Sequence, residues 1–154
     1  MERKDVAENL KWKLTDIFPD DDAWEAEFKA IDEEYSKFDF AQFKGKLHNK
    51  ADLQAYFTLS DPLSRRLEKL YIYAHMRHDE DVRISKYTSA NARVSAMFSR
   101  LFAQMSYVEP ELTALDESVL QSFIDDPDFA EYEYSLRRVA KSKAHVLSEG
   151  EEKI

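Results

Sequence analysis

The stretch that decides the fold is Asp61-Pro-Leu-Ser-Arg-Arg-Leu-Glu-Lys-Leu-Tyr-Ile-Tyr-Ala-His-Met-Arg-His78, followed by Asp79-Glu-Asp81. Asp61 suits an N-cap, and Pro62 suits the first helical position, where its missing N–H would have no partner anyway. Leu63, Leu67, Leu70, Tyr71, Ala74 and His78 then recur at helical spacing on one face. The opposite face reads Arg65 and Lys69 at first, then Ile72, Tyr73 and Met76. A helix apolar on both sides is enclosed by neighbours, so Tyr71–His78 is expected at the middle of a helical core.

Outward from this stretch, the composition points the same way. The chain has 154 residues, 44% of them hydrophobic and 13% aromatic, enough to build a real core and too apolar for disorder. Two glycines and four prolines leave little material for hairpins or Gly-rich loops, which favours an all-α fold. A net charge of −9 argues against nucleic acid or an anionic membrane as partner. No apolar run approaches the roughly 20 residues of a membrane span. The N-terminus, Met-Glu-Arg-Lys-Asp-Val, has no apolar signal region, and there is no cysteine for disulfide or thiolate chemistry. A cytoplasmic location is the expectation.

Upstream, Trp12-Lys-Leu-Thr-Asp-Ile-Phe-Pro19 alternates apolar and polar residues and reads as an extended arm. Asp20-Asp-Asp22 offers several N-caps, with Asp22 and Glu25 at capping-box spacing. Trp24, Phe28, Ile31, Tyr35 and Phe38 then form a narrow apolar seam on a helix. Gly45 marks a loop, and Asn49 caps a second helix bearing Leu53, Tyr56 and Phe57. Pro62 separates that helix from the central one, or else kinks a single long helix.

Downstream, a helix over about 85–109 carries the clearest stripe, including Val94, Met97, Leu101 and Met105. Its other side is built of small residues: Ser89, Ala92, Ser95, Ala96, Ser99, Ala103 and Ser106. A helix facing bulk water normally carries more charge, so this face is expected to be covered by another helix or by something the chain lacks. Asp116 caps a short helix with Val119, Leu120, Phe123 and Ile124. A further helix holds Phe129, Tyr132, Leu136 and Val139. Ser148 and Glu151 make a capping box that starts a helix just before Ile154, the pattern of a truncated chain.

Catalytic motifs are absent from the sequence. A zincin helix needs His-Glu-x-x-His, but His48, His75, His78 and His145 are followed by Asn, Met, Asp and Val. Glu-x-x-His, as in di-iron bundles, fails equally. His75 and His78 lie on neighbouring helical positions without a specified third ligand, so no metal ligands are assigned. Phosphate-binding and nucleophile-elbow motifs are missing, and with 31 acidic residues the proximity of two carboxylates says little. Tyr71 and Tyr73 are able to offer hydroxyls to a cleft, although burial with a satisfied hydroxyl is the commoner outcome.

In order along the chain, Trp12–Pro19, Phe43-Lys-Gly-Lys46, Ser64-Arg-Arg-Leu-Glu-Lys-Leu-Tyr-Ile-Tyr-Ala74, Asp79-Glu-Asp81, Glu109-Pro-Glu-Leu112 and His145–Lys153 resemble the N-terminal region of the oligoendopeptidase F family of zinc metallopeptidases. Gly150 departs from the helix-forming residue expected there. The resemblance implies a helical region packed against a catalytic domain that carries His-Glu-x-x-His and zinc, the two enclosing a channel for short peptides. No catalytic residue of the family matches a position here. The expectations are therefore an all-α bundle of about six helices, with residues 1–20 as an extended arm, 21–147 as the helical domain and 148–154 leading to the absent catalytic domain. Tyr71, Tyr73 and His75 are the substrate-channel candidates. The expected partners are the catalytic domain and short peptides, with self-association through the face of helix 85–109 a further expectation. A stand-alone helical interaction module is the alternative reading.

Overall fold

A 31-residue helix, Lys50–Glu80, continues past Pro62 and is the longest element in the computed structural model, which describes residues 5–143. The order of α-helices among these residues is α1 (Asp21–Ser36), α2 (Lys50–Glu80), α3 (Ser85–Met105), α4 (Val108–Ala114), α5 (Glu117–Ile124) and α6 (Glu133–Lys143). The architecture is all-α, as the composition predicts. The helix start expected at Ser148, with the segment 148–154, lies outside the described residues.

Several boundaries differ from the sequence reading. Asp61 lies inside α2 instead of capping a new helix, and its carboxylate pairs with Arg65 one turn on at 2.9 Å. Pro62 removes one helical donor there without ending the helix. The segment expected as an extended arm instead coils into two short 3-10 turns, Glu8–Leu10 and Leu14–Asp16. Asp20, not Asp22, is the N-cap of α1, accepting from the Ala23 N–H at 2.8 Å. Asn49 does cap α2, its Oδ1 accepting from the Ala51 N–H at 2.8 Å. The helix expected over 85–109 ends at Met105, and Val108 opens α4.

The described residues form two units, one of residues 5–39 and 60–103, the other of residues 40–59 and 104–143. In the first, α1, the second part of α2 and most of α3 form a three-helix bundle. Side-chain pairs fix its directions. Asp21 meets Lys86, Glu25 meets Arg93 and Asp32 meets Arg100, so α1 and α3 run parallel. Arg66 meets Glu27 and Glu34, Trp24 meets Leu70 and Asp21 meets Tyr73, so α2 runs antiparallel to α1. Inside lie Trp24, Phe28, Ile31 and Tyr35 of the predicted α1 seam, with Leu67, Leu70, Val94 and Met97. The Trp24 indole N–H donates to the Leu70 carbonyl at 2.9 Å, which satisfies the polar end of a buried ring.

In this bundle α2 is enclosed on one side only. Tyr73 and Ala74 are buried, whereas Ile72 is 38% exposed and His75 faces solvent. The expectation that Tyr71–His78 is covered all round is thus corrected. The apolar run on the second face is surface among the described residues.

In the second unit, Phe40, Leu47, Leu53, Leu120, Phe129 and Leu136 are fully buried. Tyr56 takes the edges of Phe40 and Phe43 at centroid distances of 6.3 and 5.8 Å, and Phe57 stacks on Tyr132 at 4.1 Å. Gly45 turns the chain at φ 79°, a conformation that glycine adopts without strain. The Glu111 carboxylate accepts from the N–H groups of Gly45 and Leu47 at 2.8 and 2.7 Å, tying this turn to α4. Lys50 bridges Asp126 and Asp128 at 2.6 and 2.7 Å.

Candidate functional site

Within the three-helix unit, the first turn of α1 and the facing sides of α2 and α3 leave a cleft of about 250 Å³. Its position follows from helix geometry. Asp20 uses its side chain to cap α1, so Asp21 and Asp22 project from the first turn with Trp24 and Glu25 just behind. On α2, Tyr73 and Arg77 lie one turn apart. On α3, Lys86, Ser89 and Arg93 succeed one another at helical spacing, with Tyr87 beside them.

Asp21 is the centre of the polar network. Its Oδ1 accepts from the Tyr73 hydroxyl at 2.8 Å, and its Oδ2 accepts from Lys86 Nζ at 2.8 Å and the Tyr87 hydroxyl at 3.2 Å. Burial raises the Asp21 pKa, but the Lys86 and Tyr73 hydrogen bonds outweigh it, and the net shift is downward. The carboxylate is held ionised. Burial pushes the Tyr73 and Tyr87 hydroxyls upward, so both stay protonated donors. The Arg77 guanidinium lies 5.3 Å from the Tyr73 ring centre and 5.5 Å from that of Tyr87, and donates through Nε and Nη2 to the Tyr73 oxygen at 3.3 and 3.2 Å. Arg93 forks onto Glu25 at 2.8 and 2.9 Å and lies over the Phe28 ring at 4.2 Å. Its hydrogen bonds to Glu25 hold that carboxyl below its ordinary pKa.

Chemically, the cleft is a set of matched charges on an aromatic floor. It offers hydrogen bonds and ionic contacts, with no nucleophile–base pair apparent in the network. Among the described residues, no group of three or more His, Asp or Glu side chains is arranged to hold a metal ion.

Of the sequence candidates, Tyr73 lines this cleft. The residue is 2% exposed, and its hydroxyl is engaged by Asp21 and Arg77. Tyr71 and His75 lie two positions either side of it, about 200° round the helix. They belong to a second feature. His75 stacks on Tyr71 at 5.4 Å with planes 10° apart, Tyr71 meets Phe98 at 5.5 Å, and Phe98 stacks on Phe102 at 4.3 Å. This aromatic row ends at Phe102, which is 46% exposed. Beside it, Ala92, Ala96, Ser99 and Ala103 of α3 are exposed. At its other end, the Asp79 carboxylate approaches His75 Nε2 at 3.5 Å and His78 Nδ1 at 3.1 Å.

Sequence reasoning missed Asp21, Arg77, Lys86 and Tyr87. Sequence spacing assigns the acidic run 20–22 to capping, a role that occupies only Asp20. A usable signal was present: three successive acids exceed the needs of one helix end. The pairing of Asp21 with residues 52 to 66 positions away left no local trace.

The described residues define an all-α module. A family profile described as Oligopeptidase F matches residues 111–154. The chain is 36% identical over 153 residues to Oligopeptidase PepF of Bacillus subtilis, covering 98% of this chain and 22% of that protein. It is likewise 36% identical over 155 residues to Group B oligopeptidase PepB of Streptococcus agalactiae, covering 99% of this chain and 25% of the relative. The crystal structure of a Chlamydophila abortus protein described as a peptidase shares the fold, with a TM-score of 0.79 at 24% identity, over 99% of this chain and 26% of that one. The chain thus spans about a quarter of the length of the curated relatives it matches. Nearly the whole chain is similar to the N-terminal region of oligoendopeptidase F proteins.

Proposed function

We propose that this chain works as the N-terminal wall of a cytoplasmic zinc oligoendopeptidase, bounding a channel that admits short peptides and excludes folded proteins. The observation that carries the reading is the match of nearly the whole chain to about a quarter of proteins named oligopeptidases. The exposed, nearly uncharged face of α3 supports it, because small residues let a second domain approach closely. In this reading a His-Glu-x-x-His outside these residues would hold zinc, which would supply the Lewis acidity that peptide hydrolysis needs. Residues 21–147 form the wall, and 148–154 lead toward the catalytic domain. Tyr71 and His75 present ring faces to the channel, and Tyr73 supports them from the other side of α2.

The test is a peptidase assay on the purified chain with zinc present. Alone it hydrolyses no fluorogenic peptide. Added to a relative from which the matching quarter has been deleted, it restores hydrolysis of short peptides. Zinc-dependent cleavage by the chain alone, persisting through further purification, overturns the proposal. The exposed α3 face also favours a second reading, a stand-alone interaction module that pairs with itself or another protein. A reading frame continuing past Ile154 into His-Glu-x-x-His supports the enzyme wall, a stop codon supports the module, and sedimentation across a concentration series reveals self-pairing.

A further inference from the structure

We propose that the cleft between α1 and α3 binds a small zwitterion, a free α-amino acid or dipeptide, with its ammonium toward Asp22 and its carboxylate toward Lys86 and Ser89. The inference rests on how charge is distributed across the cleft and stands independently of the peptidase reading. One side is acidic, with Asp21, Asp22 and Glu25 on α1. The other is basic, with Lys86 and Arg93 on α3 and Arg77 from α2. Three acids thus face three bases. A bare anion entering meets repulsion from α1 and a bare cation meets repulsion from α3, whereas a neutral molecule carrying both charges satisfies the two sides together.

The hydrogen-bond inventory leaves room for such a ligand. Asp21 and Glu25 are committed to partners, but the Asp22 carboxylate accepts no hydrogen bond from the described residues and lies on the wall of the cleft. Lys86 has three ammonium donors and spends one, on Asp21. Its side chain is 65% exposed, so the remaining donors reach the mouth. The Ser89 hydroxyl lines the same edge, one turn along α3. Trp24, Tyr73 and Tyr87 make an aromatic floor, suited to a short aliphatic body. At about 250 Å³ the space is at the small end for ligand pockets, which limits the occupant to one or two residues of peptide.

The experiment titrates the full chain with alanyl-alanine, its N-acetyl derivative and its C-terminal amide, followed by amide and indole NMR shifts. Saturable shifts confined to Trp24 and to residues 21–25 and 86–93 are expected with the free dipeptide. Each blocked form is expected to bind about tenfold more weakly, the loss of one charged hydrogen bond. Asp22→Asn and Lys86→Gln are expected to weaken the free dipeptide by a similar factor while leaving the helical circular dichroism unchanged. The blocked peptides carry the same test without any change to the protein. Equal affinity for free and blocked peptides overturns the proposal, as do the absence of saturable shifts up to about 50 mM dipeptide or shifts located elsewhere.

Discussion

Replacing Asp21 by Asn tests whether the network around it holds α1 against its neighbours. The carboxylate accepts three hydrogen bonds, from Tyr73, Tyr87 and Lys86. The amide keeps one oxygen and loses the charge, so it keeps at most part of that set. The Lys86 bond is discounted because its side chain is 65% exposed. The Tyr73 bond weighs most, since that residue is 2% exposed, with Arg77 as its remaining partner. A hydrogen bond to a charged group contributes about 1.5–3 kcal/mol, so Asp21→Asn is expected to destabilise by about 2 kcal/mol. At this chain length that lowers Tm by about 4–8 °C. Urea denaturation at pH 7 measures the difference, and its pH dependence checks the cause. The folded pKa of Asp21 lies below its ordinary value of 3.8. The contribution is therefore fully present above that value and is lost as pH falls through the folded pKa. The gap between wild type and variant should be constant from about pH 7 to pH 5 and close below about pH 4. A gap under about 0.5 kcal/mol at pH 7, or one that persists in acid, refutes the reasoning.

Other outcomes follow from the same geometry. Glu111→Gln withdraws a charged acceptor from two backbone N–H groups and should cost about 1.5–3 kcal/mol, read by thermal unfolding. Gly45→Ala meets no atom within 4 Å, so its cost comes from φ 79° alone, about 1–2 kcal/mol, and Gly45→Asn should recover part of it. Phe102→Ser removes a ring that is 46% exposed. It should change unfolding by under about 1 kcal/mol while reducing any concentration-dependent sedimentation.

The helical periodicities were legible because burial repeats every turn. Trp24, Phe28, Ile31 and Tyr35 of the α1 seam, Val94, Met97, Leu101 and Met105 of the α3 stripe and the Asn49 cap stand where their spacing placed them, whereas Phe38 falls beyond the end of α1. Pro62 was harder, because a proline marks a helix start and a tolerated interior position with the same residue. The apolar second face of α2 misled, since apolarity signals a covering surface without saying that the surface lies within the described chain. The cleft was least visible. Tyr73 could be singled out as a tyrosine on a central helix, but its partners Asp21 and Tyr87 come from other helices, and one sequence carries no signal of that pairing. Two segments of the resemblance do find a shared physical reason. Phe43–Lys46 and Glu109–Leu112 meet where Glu111 holds the Gly45 turn.

The three acid–base pairs joining α1 to α3 have a consequence beyond their modest energies. Asp21, Glu25 and Asp32 are unevenly spaced along α1, whereas Lys86, Arg93 and Arg100 recur at even steps along α3. Sliding α3 by one turn sets uncharged Ala90 opposite Asp21 and Met97 opposite Glu25, so only one relative position matches every charge. The pairs act as a key that selects alignment among helices whose apolar stripes would tolerate several. Salt at high concentration should blur that choice during refolding more than it weakens the finished bundle.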